Sequence, residues 1–130
     1  MTGSIDLITS AAVPIPAGHY SQATAWRDLV FVSGQLGPRA DGSHTSAQSI
    51  EVQIRQSLAN MLAIVREAGS EPSHILRVTA YIVGVENWPI FNRVYAEVMG
   101  DAKPARTVVP VPELHHGYSV EIDAIAVRPR

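Results

Sequence analysis

Two charged residues stand inside stretches otherwise built of β-branched and small apolar residues. Glu121 lies between Val120 and Ile122, and Arg106 follows Lys103-Pro104-Ala105 and opens the run Thr107-Val108-Val109. A carboxylate in such a strand loses water, so its pKa rises or it gains a hydrogen-bond partner, and either condition suits proton transfer. An arginine at a strand end is a planar clamp that can hold a small carboxylate through two hydrogen bonds. A structural ion pair between Arg106 and Glu121 is an equally supported alternative. Ser33-Gly34-Gln35 ends another apolar run, but no His or Asp stands at a nucleophile-elbow spacing from Ser33, which argues against a serine hydrolase. Asp123 shares a strand face with Glu121, so paired-carboxylate chemistry is one reading and a solvated strand edge the stronger one. His115-His116 and nearby Glu113 are metal-ligand types. They sit in a proline-flanked loop with no third histidine at helical spacing, so a solvated or pocket-lining loop is favoured over a metal site. Gly34 and Gly37 form no phosphate-binding fingerprint.

These side chains need elements to hold them. Residues 20–26 and Leu29–Gln35 read as strands separated only by Arg27-Asp28, which predicts a tight hairpin despite unfavoured turn chemistry. Gly34, Gly37, Pro38 and Asp41-Gly42 then predict a loop. Ile50, Ile54, Leu58, Met61, Leu62, Val65 and Ala68 recur at helical spacing and predict a long helix with one apolar stripe. Thr45 and Gln48 are spaced as in a capping box, and Gly69 supplies the stop. Glu51, Gln53, Arg55, Gln56 and Arg66 are expected on the opposite side of that helix. Ile75–Val83 reads as a strand. Asn87 is expected to cap a second helix that buries Phe91, Val94, Tyr95 and Val98 and ends at Gly100. Strands at 106–111 and 118–127 follow, and residues 1–17 read as a tail leading into the first strand. The order β-β-α-β-α-β-β predicts an α+β fold with a mixed sheet and two helices on one face. In the last strand Val120, Ile122, Ala124 and Ala126 share one face, while Ile125 and Val127 make the other apolar too. Two helices cover one face only, so a second copy of the chain is expected on the other.

Composition narrows the classes further. The 130 residues are 46% hydrophobic and 17% charged, with a formal net charge of −2, which suits one domain with an ordinary core. That balance disfavours a nucleic-acid partner. There is no cysteine, so disulfides, cysteine–zinc sites, iron–sulfur ligation and a cysteine nucleophile are excluded. No apolar run approaches a membrane span, and residues 1–10 lack the basic start of a signal peptide, so a cytoplasmic protein is expected.

Six segments in order resemble the RidA/YjgF family of enamine/imine deaminases, from about Val13 to Arg128. They are Gly18-His19-Tyr20-Ser21-Gln22-Ala23, Leu29-Val30-Phe31-Val32-Ser33-Gly34-Gln35, Gln53-Ile54-Arg55-Gln56-Ser57-Leu58-Ala59-Asn60, Phe91-Asn92-Arg93-Val94-Tyr95, Lys103-Pro104-Ala105-Arg106-Thr107 and Val120-Glu121-Ile122-Asp123-Ala124-Ile125-Ala126. The resemblance implies a chorismate-mutase-like fold assembled as a homotrimer, with ligand clefts between subunits. It implies hydrolysis of small 2-imino or 2-enamino acids to 2-keto acids and ammonia, with no metal or organic cofactor. By the same resemblance Arg106 would hold the substrate carboxylate and Glu121 would activate water. Tyr20, Ser33 and Asn92 would line or order the cleft, and Gly34 would admit the ligand close to the backbone.

The chain departs from the family pattern at His19, at Val108 and through residues 110–118, which carry Pro112, His115, His116 and Tyr118, and His19 and the His115-His116 pair are expected to reshape the pocket mouth. Two other readings stay open: a hydrolase of a larger or aromatic imine, and a non-catalytic metabolite-binding trimer. Some relatives are described as ribonucleases, which the acidic balance of this chain does not favour.

Overall fold

The computed structural model describes residues 3–129. In chain order the elements are β1 (Asp6–Ile8), β2 (Ala23–Trp26), β3 (Leu29–Gln35), α1 (Ile50–Glu67), β4 (Ile75–Val83), α2 (Trp88–Met99), β5 (Ala105–Val111) and β6 (Val120–Val127). They form one six-stranded sheet in the order β1-β2-β3-β6-β4-β5. Only β4 and β5 pair in parallel; all other neighbours are antiparallel. α2 is the crossover that a parallel pair requires. α1 joins β3 to β4, and β6 is inserted between those two strands, so the last strand lies within the sheet. No helix of the described residues is long and apolar enough to cross a membrane.

Strict alternation sets the two faces of β6. Val120, Ile122, Ala124 and Ala126 are buried beneath the helices with Val30, Val32, Val78 and Ala80. Ile54, Leu58, Met61 and Val65 of α1, and Phe91 and Val94 of α2, close this core. Glu121, Asp123, Ile125 and Val127 point the other way, to a face that no helix covers, as the pattern predicts. Phe31, paired with Ile125, is 44% exposed there.

Three expectations need correction. The start of α1 is not the Thr45/Gln48 capping box: Ser49 is the cap, its hydroxyl accepting from Val52 N at 3.3 Å. Thr45 instead donates its hydroxyl to the Gly37 carbonyl at 2.6 Å. Gln53 is not on the solvent side of α1 but 3% exposed. Its Oε1 accepts from Ser119 N at 2.8 Å, and its Nε2 donates to the carbonyls of Ser46 and Gln48 at 3.2 and 3.1 Å. Residues 1–17 are more than a tail, although residues 1 and 2 lie outside the described residues. β1 pairs with β2, and Arg128 donates to Asp6 at 2.7 Å across this edge. Smaller differences are that β2 starts at Ala23, β5 at Ala105 and β6 at Val120. Asn87 stands at the cap position of α2, but its side chain donates back to the Val83 carbonyl at 2.8 Å. Arg27 makes the predicted hairpin turn with a left-handed φ of 55°, its carbonyl held by Arg128 Nε at 2.8 Å.

Two polar systems fix α1. On its outer side, Glu51, Arg55, Glu97 and Arg93 form a closed ring of ion pairs that joins it to α2. On its inner side Gln53, Ser57 and Asn60 form a buried polar stripe. The Ser57 hydroxyl donates to the Gln35 carbonyl at 2.6 Å, and Asn60 Nδ2 donates to the carbonyls of Leu36 and Pro38 at 3.2 and 2.9 Å. Removing the amide leaves part-buried carbonyls unpartnered, so Asn60→Ala is expected to cost about 1–3 kcal/mol of unfolding free energy. Urea unfolding checks this, and a loss below about 0.5 kcal/mol would mean that water replaces the amide.

Candidate functional site

The end of β3 shapes the site. Val32 pairs with Ala124 and Gln35 with Ile122, so β3 carries one residue more than β6 over this interval. The extra residue is a β-bulge at Ser33-Gly34, a device that re-aims side chains beside functional sites. Ser33 is tied into the bulge, its hydroxyl donating to the Ser21 carbonyl at 2.6 Å and its N–H to the Gln22 carbonyl at 2.9 Å. A Cβ added at Gly34 would lie 2.8 Å from Glu121 Oε2 and 3.0 Å from Cδ. The glycine makes room for the carboxylate.

Glu121 lines a cleft of about 480 Å³ together with Tyr20, Gly34, His44, His116 and Tyr118. Burial raises the Glu121 pKa above its ordinary value, the neighbouring Asp123 charge raises it further, and His115 opposes both. A group poised in this way holds or releases a proton nearer neutrality than a free carboxylate does. Asp123 does not line the cleft. It accepts from the Tyr81 hydroxyl at 3.4 Å, and its own pKa is raised chiefly by burial. Among the residues with expected roles, the fold thus brings Tyr20, Gly34 and Glu121 to one cleft and sets Ser33 immediately behind it.

Arg106 and Asn92 are elsewhere in the chain. Arg106 pairs in register with Val78 and shares its helix-side face, whereas Glu121 pairs with Tyr81 on the uncovered face. The Arg106 guanidinium lies 5.0 Å from the Tyr95 ring centre and 5.6 Å from that of Phe91, stacked on α2 by cation–π attraction. Among the described residues it makes no ion pair, and the intrachain pairing of Arg106 with Glu121 does not form. Asn92 is exposed on α2, the helix that carries those rings. Two sheet faces within one copy separate Arg106 from Glu121.

Several site residues escaped the sequence reading. Gln22, 3% exposed, accepts from Ser10 N at 2.6 Å and donates to the carbonyls of Ser10, Val13 and Pro14 at 3.1–3.4 Å. It thereby fastens the segment 13–17, which forms an apolar part of the cleft lining. His44 joins the expected His115 and His116, with ring centres 4.7 Å apart for His44 and His116 and 3.8 Å for His115 and His116. His116 has φ 59°, a left-handed conformation that histidine tolerates better than most residues. Glu113 is exposed and takes no part in the cleft lining. No group of three His, Cys, Asp or Glu among the described residues is arranged to hold a metal ion.

The contact at Gly34 makes a test. Gly34→Ala presses on the far end of a flexible side chain, so the unfolding free energy is expected to change by less than about 1 kcal/mol. A crystal structure of the variant should show the Glu121 carboxylate displaced. A carboxylate left in place, with backbone shifted instead, would contradict this account of the bulge.

A family model described as Endoribonuclease L-PSP matches residues 10–128. A protein of Dermatophagoides farinae named 2-iminobutanoate/2-iminopropanoate deaminase is 32% identical over 121 residues, covering 93% of this chain and 94% of its own. The crystal structure of the YjgF gene product from E. coli superposes with a TM-score of 0.89 at 29% identity, covering 95% of this chain and 99% of that one. E. coli TdcF, solved with bound serine, gives a TM-score of 0.90 at 30% identity, with 95% and 99% coverage. The match spans the bulge, the buried stripe of α1 and both charged strands, and the chain belongs to the Endoribonuclease L-PSP family, the YjgF/RidA family.

Proposed function

We propose that the protein is a hydrolytic deaminase of 2-imino and 2-enamino acids, working as a homotrimer whose sites are shared between copies. The observation that carries this reading is the opposition of Arg106 and Glu121 on two faces of one sheet. Among the described residues each is exposed or half-buried and makes no ion pair within its own chain, and a second copy that brings its β5 edge to the uncovered face supplies what each lacks. The names of the relatives support the reaction, and the serine held by TdcF supports a small amino-acid-like ligand.

In this reading Arg106 of one copy grips the planar carboxylate through two hydrogen bonds and presents the iminium carbon to Glu121 of another. Glu121 accepts a proton from water as the oxygen bonds to that carbon. It returns that proton to nitrogen and, as the C–N bond breaks, takes up the remaining hydroxyl proton and passes it to the departing ammonia, leaving a 2-keto acid and ammonium. The Phe91 and Tyr95 rings hold the guanidinium flat, and Tyr20 and Ser33 order the cleft. The cleft lining of a single copy contains no lysine or arginine, which does not favour a phosphodiester substrate.

Imines generated by an amino-acid oxidase and trapped as semicarbazones give the assay. Glu121→Gln is expected to lower kcat by about 10²–10⁴-fold, the usual worth of one acid–base group. Because Glu121 must be ionised to accept the proton, kcat/KM should rise with pH through its raised pKa. Arg106→Ala should lower kcat/KM as well. Co-expressed Arg106→Ala and Glu121→Gln chains should regain roughly a quarter of wild-type activity, since a shared site is intact when each copy contributes its good half. Wild-type trimer without imine hydrolysis would sink the reaction, and mixed trimers without recovery would sink the shared site.

A further inference from the structure

Within a single copy, before a second copy brings its Arg106 to the site, the cleft beside Glu121 is much larger than a small imino acid needs. Liquid water takes about 30 Å³ per molecule, so 480 Å³ holds roughly sixteen non-hydrogen atoms, against about six or seven in a three- or four-carbon imino acid. The excess space has a definite chemistry. Val13, Ile15, Leu36 and Pro38 give it an apolar lining, and His44, His115 and His116 bring three imidazole rings into one cluster.

This cluster is held in place by buried structure. Tyr118, 2% exposed, accepts the Thr45 N–H on its hydroxyl oxygen at 3.1 Å. The same hydroxyl is hydrogen-bonded to His44 Nδ1 at 2.9 Å, which fixes that ring. The His115–Gly117 turn, left-handed at His116 and Gly117, sets the His116 ring against it at a tilt of 34°. Desolvation, with the neighbouring His115 and His44, lowers the His116 pKa. The cluster is a tilted set of flat rings with apolar neighbours. It matches the tilted and offset contacts that aromatic groups prefer.

We propose that His44, His115 and His116, with the apolar segment 13–17, form a subsite for a flat aromatic side chain, and that aromatic 2-imino acids are the preferred substrates. A phenyl- or indole-bearing imino acid has about twelve to fifteen non-hydrogen atoms and fills the cleft that a smaller substrate leaves wet. The inference rests on the reading of Glu121 as the group that activates water, because that fixes which end of the ligand reaches the bulge.

The experiment compares kcat/KM for the imines of L-phenylalanine and L-alanine, made in situ by an amino-acid oxidase, in wild type and His116→Asn. Asparagine is at home in the left-handed conformation, so the substitution removes the ring without straining the turn. Calorimetric Kd values for phenylpyruvate and pyruvate, the corresponding keto acids, are measured alongside. Wild type should favour the phenylalanine-derived imine by about tenfold or more, and His116→Asn should reduce that ratio by about three- to tenfold. Equal use of both imines, or an equal loss on both in the variant, overturns the subsite and leaves the deaminase standing. If neither imine is hydrolysed, tighter binding of phenylpyruvate than of pyruvate, weakened in His116→Asn, supports the subsite while the deaminase reading falls. Phenylpyruvate bound no more tightly than pyruvate would then overturn both.

Discussion

The site depends on three polar side chains where a helix would ordinarily place apolar ones. Gln53, Ser57 and Asn60 lie on the inner face of α1, and together they hold the carbonyls of residues 35, 36, 38, 46 and 48 and the N–H of Ser119. Those groups belong to the end of β3, to both ends of the loop before α1, and to the residue entering β6. Buried backbone groups need partners, and irregular chain beside a core has few of its own. α1 supplies them, so the helix that packs the core also fixes the loops around Glu121.

The second governing feature is the placement of β6 between β3 and β4. A strand with neighbours on both edges has its register fixed from two sides, so the carboxylate of Glu121 is aimed by the sheet itself. The same register turns Glu121 away from the helices, while β5 turns Arg106 towards them. A single copy therefore keeps Arg106 and Glu121 apart. Under the proposed reaction, association becomes a condition for chemistry, because an unassembled chain would carry both halves without a complete site.

Much of this was legible in the sequence because it is written in local periodicity. The alternation of β6 and the helical spacing of Ile54, Leu58, Met61 and Val65 identify elements and faces without reference to anything distant. β1 was not legible. Its three residues are largely exposed, and pairing with β2 alone makes them a strand. Gln53 was misplaced because an amide on a helix reads as surface, while its partner Ser119 lies 66 residues away. The face of Arg106 was hidden for a related reason: β5 is an edge strand with little alternation in burial, so its orientation follows from parallel register with β4. His44 lies in an irregular loop where no periodic pattern marks a residue that will meet His116. Glu121 and Gly34 stand out locally as anomalous residue types in apolar strands, whereas Tyr20 entered only through the family resemblance.

The ring of Glu51, Arg55, Glu97 and Arg93 reaches further than its exposed position suggests. α1 presents a negative charge and then a positive one, four residues apart, and α2 presents the opposite order across from it. A slide of α2 by one helical turn, about 5.4 Å, would set arginine against arginine or glutamate against glutamate. The ring is thus an alignment mark between the helices, and its information lies in the order of signs rather than in binding strength. Phe91 and Tyr95 ride on α2, and the Arg106 guanidinium lies over both. A pattern of charges on the outer surface therefore specifies where the arginine on the far side of α2 comes to rest.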